Sequence, residues 1–173
     1  AWTPVGGEIM FIEATRMPGN GGFKVTGQLG EVMNESAQIA LSYVRAHLDR
    51  FEIDPEILDR SDLHIHFPAG ATPKDGPSAG IAITTAIVSL LGWGKGRKIR
   101  PRLAMTGEMT LRGEVLPIGG VREKCLAARR AGVRTVILPR ENKRNVVEIP
   151  RHILKGLQFQ YAATYDDVRK LAF

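Results

Sequence analysis

Residues 63–91 read LHIHFPAGATPKDGPSAGIAITTAIVSLL, and this stretch decides the fold. Leu63 to Phe67 alternates apolar and polar side chains, the pattern of a strand with one polar face. Pro68 to Pro77 is rich in Gly and Pro and reads as a loop. Ser78 to Leu91 is apolar on almost every side, which predicts a buried helix. A strand that runs through a rigid loop into a buried helix needs layers on both sides to cover it.

The flanking sequence supplies those layers. Residues 7–17 read as a strand, 18–22 as a turn, and 23–26 as the return strand. From Glu31 to Phe51 the apolar residues recur at helical spacing, and Asp54-Pro55 breaks the chain. Beyond the buried helix, 103–109 and 114–116 read as strands and 121–131 as a helix. A strand at 135–138, a short helix at 142–148, a strand at 157–161 and a helix at 166–171 follow. Strands and helices mix without regular alternation. The expected class is therefore α/β (α+β), a mixed sheet packed with helices in one domain over residues 1–173.

Composition narrows the function classes. Of the 173 residues, 43% are hydrophobic and 24% charged, the balance of an ordinary globular domain. The longest apolar run, Ile81 to Leu91, is interrupted by Thr84, Thr85 and Ser89 and is too short to span a bilayer. The start, Ala1-Trp2-Thr3-Pro4, has neither a basic opening nor an apolar core segment of a signal peptide. It also lacks an initiator Met, which reads as an excised piece of a longer chain; a processed terminus would read the same. One cysteine, Cys125, excludes an internal disulfide and a cysteine-rich zinc site, and suits a reducing, cytoplasmic setting. The net charge of +6 permits weak attraction to nucleic acid. The cations are dispersed among acids, however, and no basic run interleaves with aromatics.

Chemistry concentrates around Ser78. Pro73, Gly76 and Pro77 stiffen the loop that delivers it to the start of the buried helix. Amides there lack intrahelical partners and the dipole is positive, so an oxyanion formed on an attacked carbonyl would be stabilised. The same serine also suits a plain N-cap. A phosphate cradle is a third reading, but Lys74 precedes the Gly instead of following it, unlike a phosphate loop.

A serine nucleophile needs a proton acceptor. His47 reads as a surface residue, and His152 lies in a late polar stretch. His64 and His66 share one side of a strand without a triad motif, and as a metal pair they lack an evident third ligand. In the segment from Gly119 to Ala128, Lys124 falls on the stripe of Val121, Ala127, Ala128 and Ala131, while Arg122, Arg129, Glu123 and Arg130 lie elsewhere. Burial and the helix start both disfavour its ammonium, which lowers the pKa toward that of a useful base. A lysine that snorkels to solvent is the bland alternative.

Taken together, these segments resemble the Lon protease family, of the bacterial LonA-like kind. The likeness lies in Pro73-Lys74-Asp75-Gly76-Pro77-Ser78-Ala79-Gly80, Thr106-Gly107-Glu108, Leu111-Arg112-Gly113 and Val115-Leu116-Pro117-Ile118-Gly119-Gly120. It extends to Glu141-Asn142-Lys143-Arg144 and, near the start, to Trp2, Gly6-Gly7, Ile12-Glu13-Ala14 and Gly30-Glu31-Val32-Met33. The resemblance implies Ser78 as nucleophile and Lys124 as base, with Thr106 and Asp75 in support. Position 122, lysine in many relatives, is Arg here. The resemblance also implies a fold like the second domain of ribosomal protein S5. It implies homohexamers that degrade unfolded, damaged or regulatory proteins, and an ATPase module of the AAA+ class elsewhere in the full chain. ATP and Mg would bind that module, since this domain has no nucleotide motif and needs no cofactor or metal of its own. Two rivals remain: a GHMP-type small-molecule kinase, tested by nucleotide calorimetry, and a non-catalytic RNA-binding or assembly module of the same fold.

Overall fold

In a computed structural model, residues 2–3, 6–92 and 98–173 are described, the first two by their backbone alone. The elements in chain order are β1 (Trp2–Thr3), β2 (Gly6–Gly7), β3 (Glu13–Pro18), β4 (Phe23–Thr26), α1 (Glu31–Ala46), α2 (Pro55–Asp59) and β5 (Ser61–His66). They continue with α3 (Gly80–Leu91), β6 (Leu103–Met105), β7 (Glu108–Met109), β8 (Val115–Leu116), α4 (Val121–Arg130) and β9 (Thr135–Pro139). A 3-10 turn (Arg140–Asn142), α5 (Lys143–Val147), β10 (Gln158–Ala162) and α6 (Tyr165–Ala172) complete the chain.

The class is α+β, but the strands do not form one mixed sheet. One three-stranded sheet has the order β3-β5-β4 and is mixed; the other, β10-β9-β6, is parallel. Two short two-stranded pairs, β1-β2 and β7-β8, accompany them. The expected hairpin of β3 with β4 is corrected, because β5 inserts between them, antiparallel to β3 and parallel to β4. The expected strand over 7–17 is two strands, β2 and β3, with 8–12 between them in no sheet. The expected strand over 103–109 breaks at Thr106-Gly107, where the Gly107 N–H and carbonyl turn to Ser78 and Ile81 at the start of α3. The Asp54-Pro55 break is the start of a helix. Asp54 caps α2 by accepting from Glu56 N, and Pro55 takes the first position, where its missing N–H costs nothing.

α3 is the centre of the larger core, packed against α1, the mixed sheet and α6. Its buried hydroxyls are satisfied locally: Thr84 Oγ1 donates to the Gly80 carbonyl and Thr85 Oγ1 to that of Ile81. Tyr43, Phe51 and Tyr165 close one end with ring centroids 5.6–6.1 Å apart. A second, smaller core joins Val121, Cys125 and Ala128 of α4 to Val136 and Leu138 of β9 and Val146 of α5. β9 serves both cores, since Ile137 faces the first and its two neighbours face the second. The seam between the cores lies where Ser78, just before α3, and Lys124 of α4 both bond to Thr106.

Candidate active site

Thr106 and Gly107 fasten that seam. Gly107 N donates to the Ser78 carbonyl at 2.8 Å, and Ile81 N donates back to the Gly107 carbonyl at 3.1 Å. Thr106 N is held by Ile137 O at 3.2 Å, so the parallel sheet sets its height. A side chain at position 107 would meet Ile81 and Val115 at 3.0 Å, which is why glycine stands there. Ser78 thus reaches its place through a backbone clamp. It lies just before α3, whose cap residue is Ala79, and no side chain caps that helix.

Lys124 approaches from the other core. Of the stripe expected on α4, Val121, Ala127 and Ala128 are buried, as is Cys125 beside it, while Ala131 is exposed. Nζ donates to Thr106 Oγ1 at 3.2 Å, and that hydroxyl donates in turn to the Ser78 carbonyl at 3.2 Å. Burial holds the Lys124 pKa below the ordinary lysine value, because the neutral amine loses less on leaving water. α4 begins at Gly120, whose φ of +67° lies in the left-handed region.

Ser78 and Lys124 both line a cleft of about 670 Å³, together with Asp75, Pro77, Pro117 and Gly119. A second groove of about 430 Å³ shares Ile9, Met10, Phe11, Ser78 and Ala79 with it and runs on to Met105 and Val133. Ser78 therefore stands where two hollows meet. Phe11, 71% exposed, stands on their common rim.

The loop before Ser78 is tied down by side chains. Lys74 Nζ donates to the carbonyls of Gly27, Ala69 and Thr72 at 3.0, 2.8 and 2.8 Å. All three of its hydrogens point at backbone, so it has none left for a phosphate. Asp75 Oδ1 accepts from Met33 N at 2.9 Å and Gly76 N at 2.8 Å. It stands in as the cap that Gly30, the residue before α1, cannot provide. Neither role is visible in the sequence, because each partner is backbone 42 to 47 residues away or inside the loop itself.

The histidines lie elsewhere. His64 Nε2 and His66 Nδ1 share the Thr26 hydroxyl, each at 2.8 Å, on the face of β5 turned from the larger core. Neither lines the cleft with Ser78. Among the described residues no group of three His, Cys, Asp or Glu is placed to hold a metal. Among them, too, no helix is long and apolar enough to cross a membrane.

The comparisons with known proteins agree with one another. The family profile of the Lon protease (S16) C-terminal proteolytic domain matches residues 1–173. The chain is similar to "Lon protease" of Desulfosudis oleivorans, 56% identical over 172 residues, covering 99% of this chain and 21% of that protein. It is similar to "Lon protease 1" of Herpetosiphon aurantiacus, 59% identical over 171 residues with the same coverage. "Lon protease" of Anaeromyxobacter dehalogenans is 55% identical over 172 residues, covering 99% of this chain and 20% of that protein. The chain spans about one fifth of the length of these curated relatives. With every part of it matched, the chain belongs to the Lon protease family, where its counterpart is the peptide-bond-hydrolysing domain.

Proposed function

We propose that this chain is a single serine endopeptidase domain in which Ser78 is the nucleophile and Lys124 the general base. The observation that carries the reading is the hydrogen-bonded line from Lys124 Nζ through Thr106 Oγ1 to the Ser78 carbonyl, at the meeting point of two hollows. Neutral Lys124 takes the Ser78 hydroxyl proton as Oγ attacks the peptide carbonyl. The negative charge that develops on the carbonyl oxygen falls at the positive end of α3. Protonated Lys124 then gives its proton to the departing amine, leaving an acyl ester on Ser78. Water, deprotonated by the same lysine, hydrolyses the ester and restores both groups. In this reading Thr106 holds the base and Asp75 holds the loop.

Ile9, Met10 and Phe11, which belong to no sheet and line both hollows, support an extended polypeptide as substrate. A strand laid beside them would pass over Ser78 with side chains falling into both hollows. The wider reading is a cytoplasmic homohexamer with the ribosomal protein S5 domain 2-like fold. An AAA+ module outside this chain would bind ATP and Mg and deliver unfolded, damaged or regulatory proteins to the cleft. The donors here do not fit nucleotide, since Lys74 is fully engaged by carbonyls.

A peptidyl boronate, followed by mass analysis of the modified residue, tests the assignment. The expected adduct is on Ser78. An adduct on any other residue, or none in an active preparation, overturns it.

A further inference from the structure

Asn142 closes the 3-10 turn after β9 and is 2% exposed. A buried primary amide must find partners for its carbonyl oxygen and both N–H groups. Asn142 Oδ1 accepts from Ile118 N at 2.9 Å, and Nδ2 donates to Ile118 O at 2.9 Å. The remaining Nδ2 hydrogen goes to Asn145 Oδ1 at 2.9 Å. One side chain thus pairs both peptide groups of one residue, as a neighbouring strand would.

The residue so held lies on the cleft wall. Pro117, Ile118, Gly119 and Gly120 all line it, in a segment between β8 and α4 that belongs to no sheet or helix. Two successive glycines separate Ile118 from the first residue of α4, so the backbone there has little stiffness of its own. The Gly120 carbonyl accepts from Lys124 N at 3.0 Å, which joins this segment directly to the turn that carries the lysine.

We propose that Asn142 is a positioning residue for the reaction, acting through Ile118 and the Gly119-Gly120 link to keep Lys124 half-buried and correctly aimed. This rests on the reading of Lys124 as the base. With the amide removed, the wall is free to move outward and more water reaches the amine. The lysine pKa then returns toward its ordinary value, and a smaller fraction is neutral at a given pH. A misplacement of about 1 Å at such a site costs up to about a hundredfold in rate.

The test compares wild type with Asn142→Leu, which keeps the volume and removes every hydrogen bond. Asn142→Asp, which keeps the acceptor for Ile118 N–H, serves if the leucine variant does not fold. Peptide cleavage is followed across pH per mole of folded enzyme, with amide hydrogen exchange over residues 116–124. The expected result is faster exchange at Ile118, kcat lower by about tenfold or more, KM within about threefold, and a rising limb displaced to higher pH. A purely structural asparagine would lower the folded fraction and leave the limb where it was; that outcome overturns the proposal. Lys124→Arg is assayed alongside. If it is active, the lysine reading itself fails; if it is inactive while the Asn142 variants keep the wild-type limb, only the Asn142 proposal fails.

Discussion

Lys124 Nζ and Thr106 Oγ1 lie 3.2 Å apart, and the same threonine oxygen lies 3.2 Å from the Ser78 carbonyl oxygen. One hydroxyl therefore serves both cores of the domain, accepting from one and donating to the other. Thr106→Val keeps the shape and deletes both bonds. The expected cost in stability is about 1 kcal/mol, while peptide cleavage falls by about tenfold or more because the amine loses its orientation. Thermal unfolding and peptidase assays on one preparation decide it. Unchanged cleavage would mean that Lys124 is held by other contacts.

Ser78→Ala is expected to abolish cleavage and to leave stability within about 0.5 kcal/mol. The stability half is sharp because α3 has no side-chain cap, so no cap bond is lost. A drop of about 1 kcal/mol or more in denaturant unfolding would show a structural task for the hydroxyl.

Lys124 links pH both to activity and to stability. Its folded pKa lies below the ordinary value of 10.5 because of burial. Cleavage should rise with pH through that lowered value, as the neutral amine becomes populated. The sign for folding follows from proton counts. Between the lowered value and 10.5 the unfolded chain binds more protons than the folded one, so this residue's contribution to stability improves as pH rises across that window. Below the window its burial is a full penalty. Lys124→Met should thus be inactive yet at least as stable as wild type at pH 7, with a gain in Tm of up to ~4 °C. A clearly lowered Tm at pH 7 would contradict the penalty.

Lys74→Met is expected to loosen the loop. It removes three charge-assisted bonds to carbonyls, and the expected loss is about 1–3 kcal/mol. Limited proteolysis should then cut within residues 69–77 before any other site. Cleavage first at another loop, with wild-type stability, would show that the glycines and prolines hold the loop unaided.

Much of this was legible from residue order. α3 could be read because a helix buried on every side leaves no polar stripe, and α4 from a stripe of small residues, imperfect because Leu126 sits off it and Ala131 is exposed. What could not be read was pairing between distant segments. The Pro18–Gly22 turn predicts a hairpin, but strand partners are chosen by which faces can be buried, and β5 wins the central place. The break at Thr106-Gly107 escapes a periodicity reading, since its cause is the Ser78 carbonyl 29 residues earlier. α2 has five residues, too few for a period, although its Asp-Pro start was in plain view. Lys74 and Asn142 act on backbone groups, which every residue possesses, so no pattern of side chains marks their targets.

The insertion of β5 between β3 and β4 bears on how the chain folds as it is made. When Thr26 has left the ribosome, the residues of β3 and β4 are made but lack their shared partner, which begins at Ser61. The sheet must then wait for at least 35 further residues, among them α1, before its first rung can form. Closing a loop of that size before any reward arrives favours slow, late docking over stepwise growth. A nascent chain halted in α1 would carry two strand-forming segments with unpaired backbone, the kind of exposure that invites aggregation.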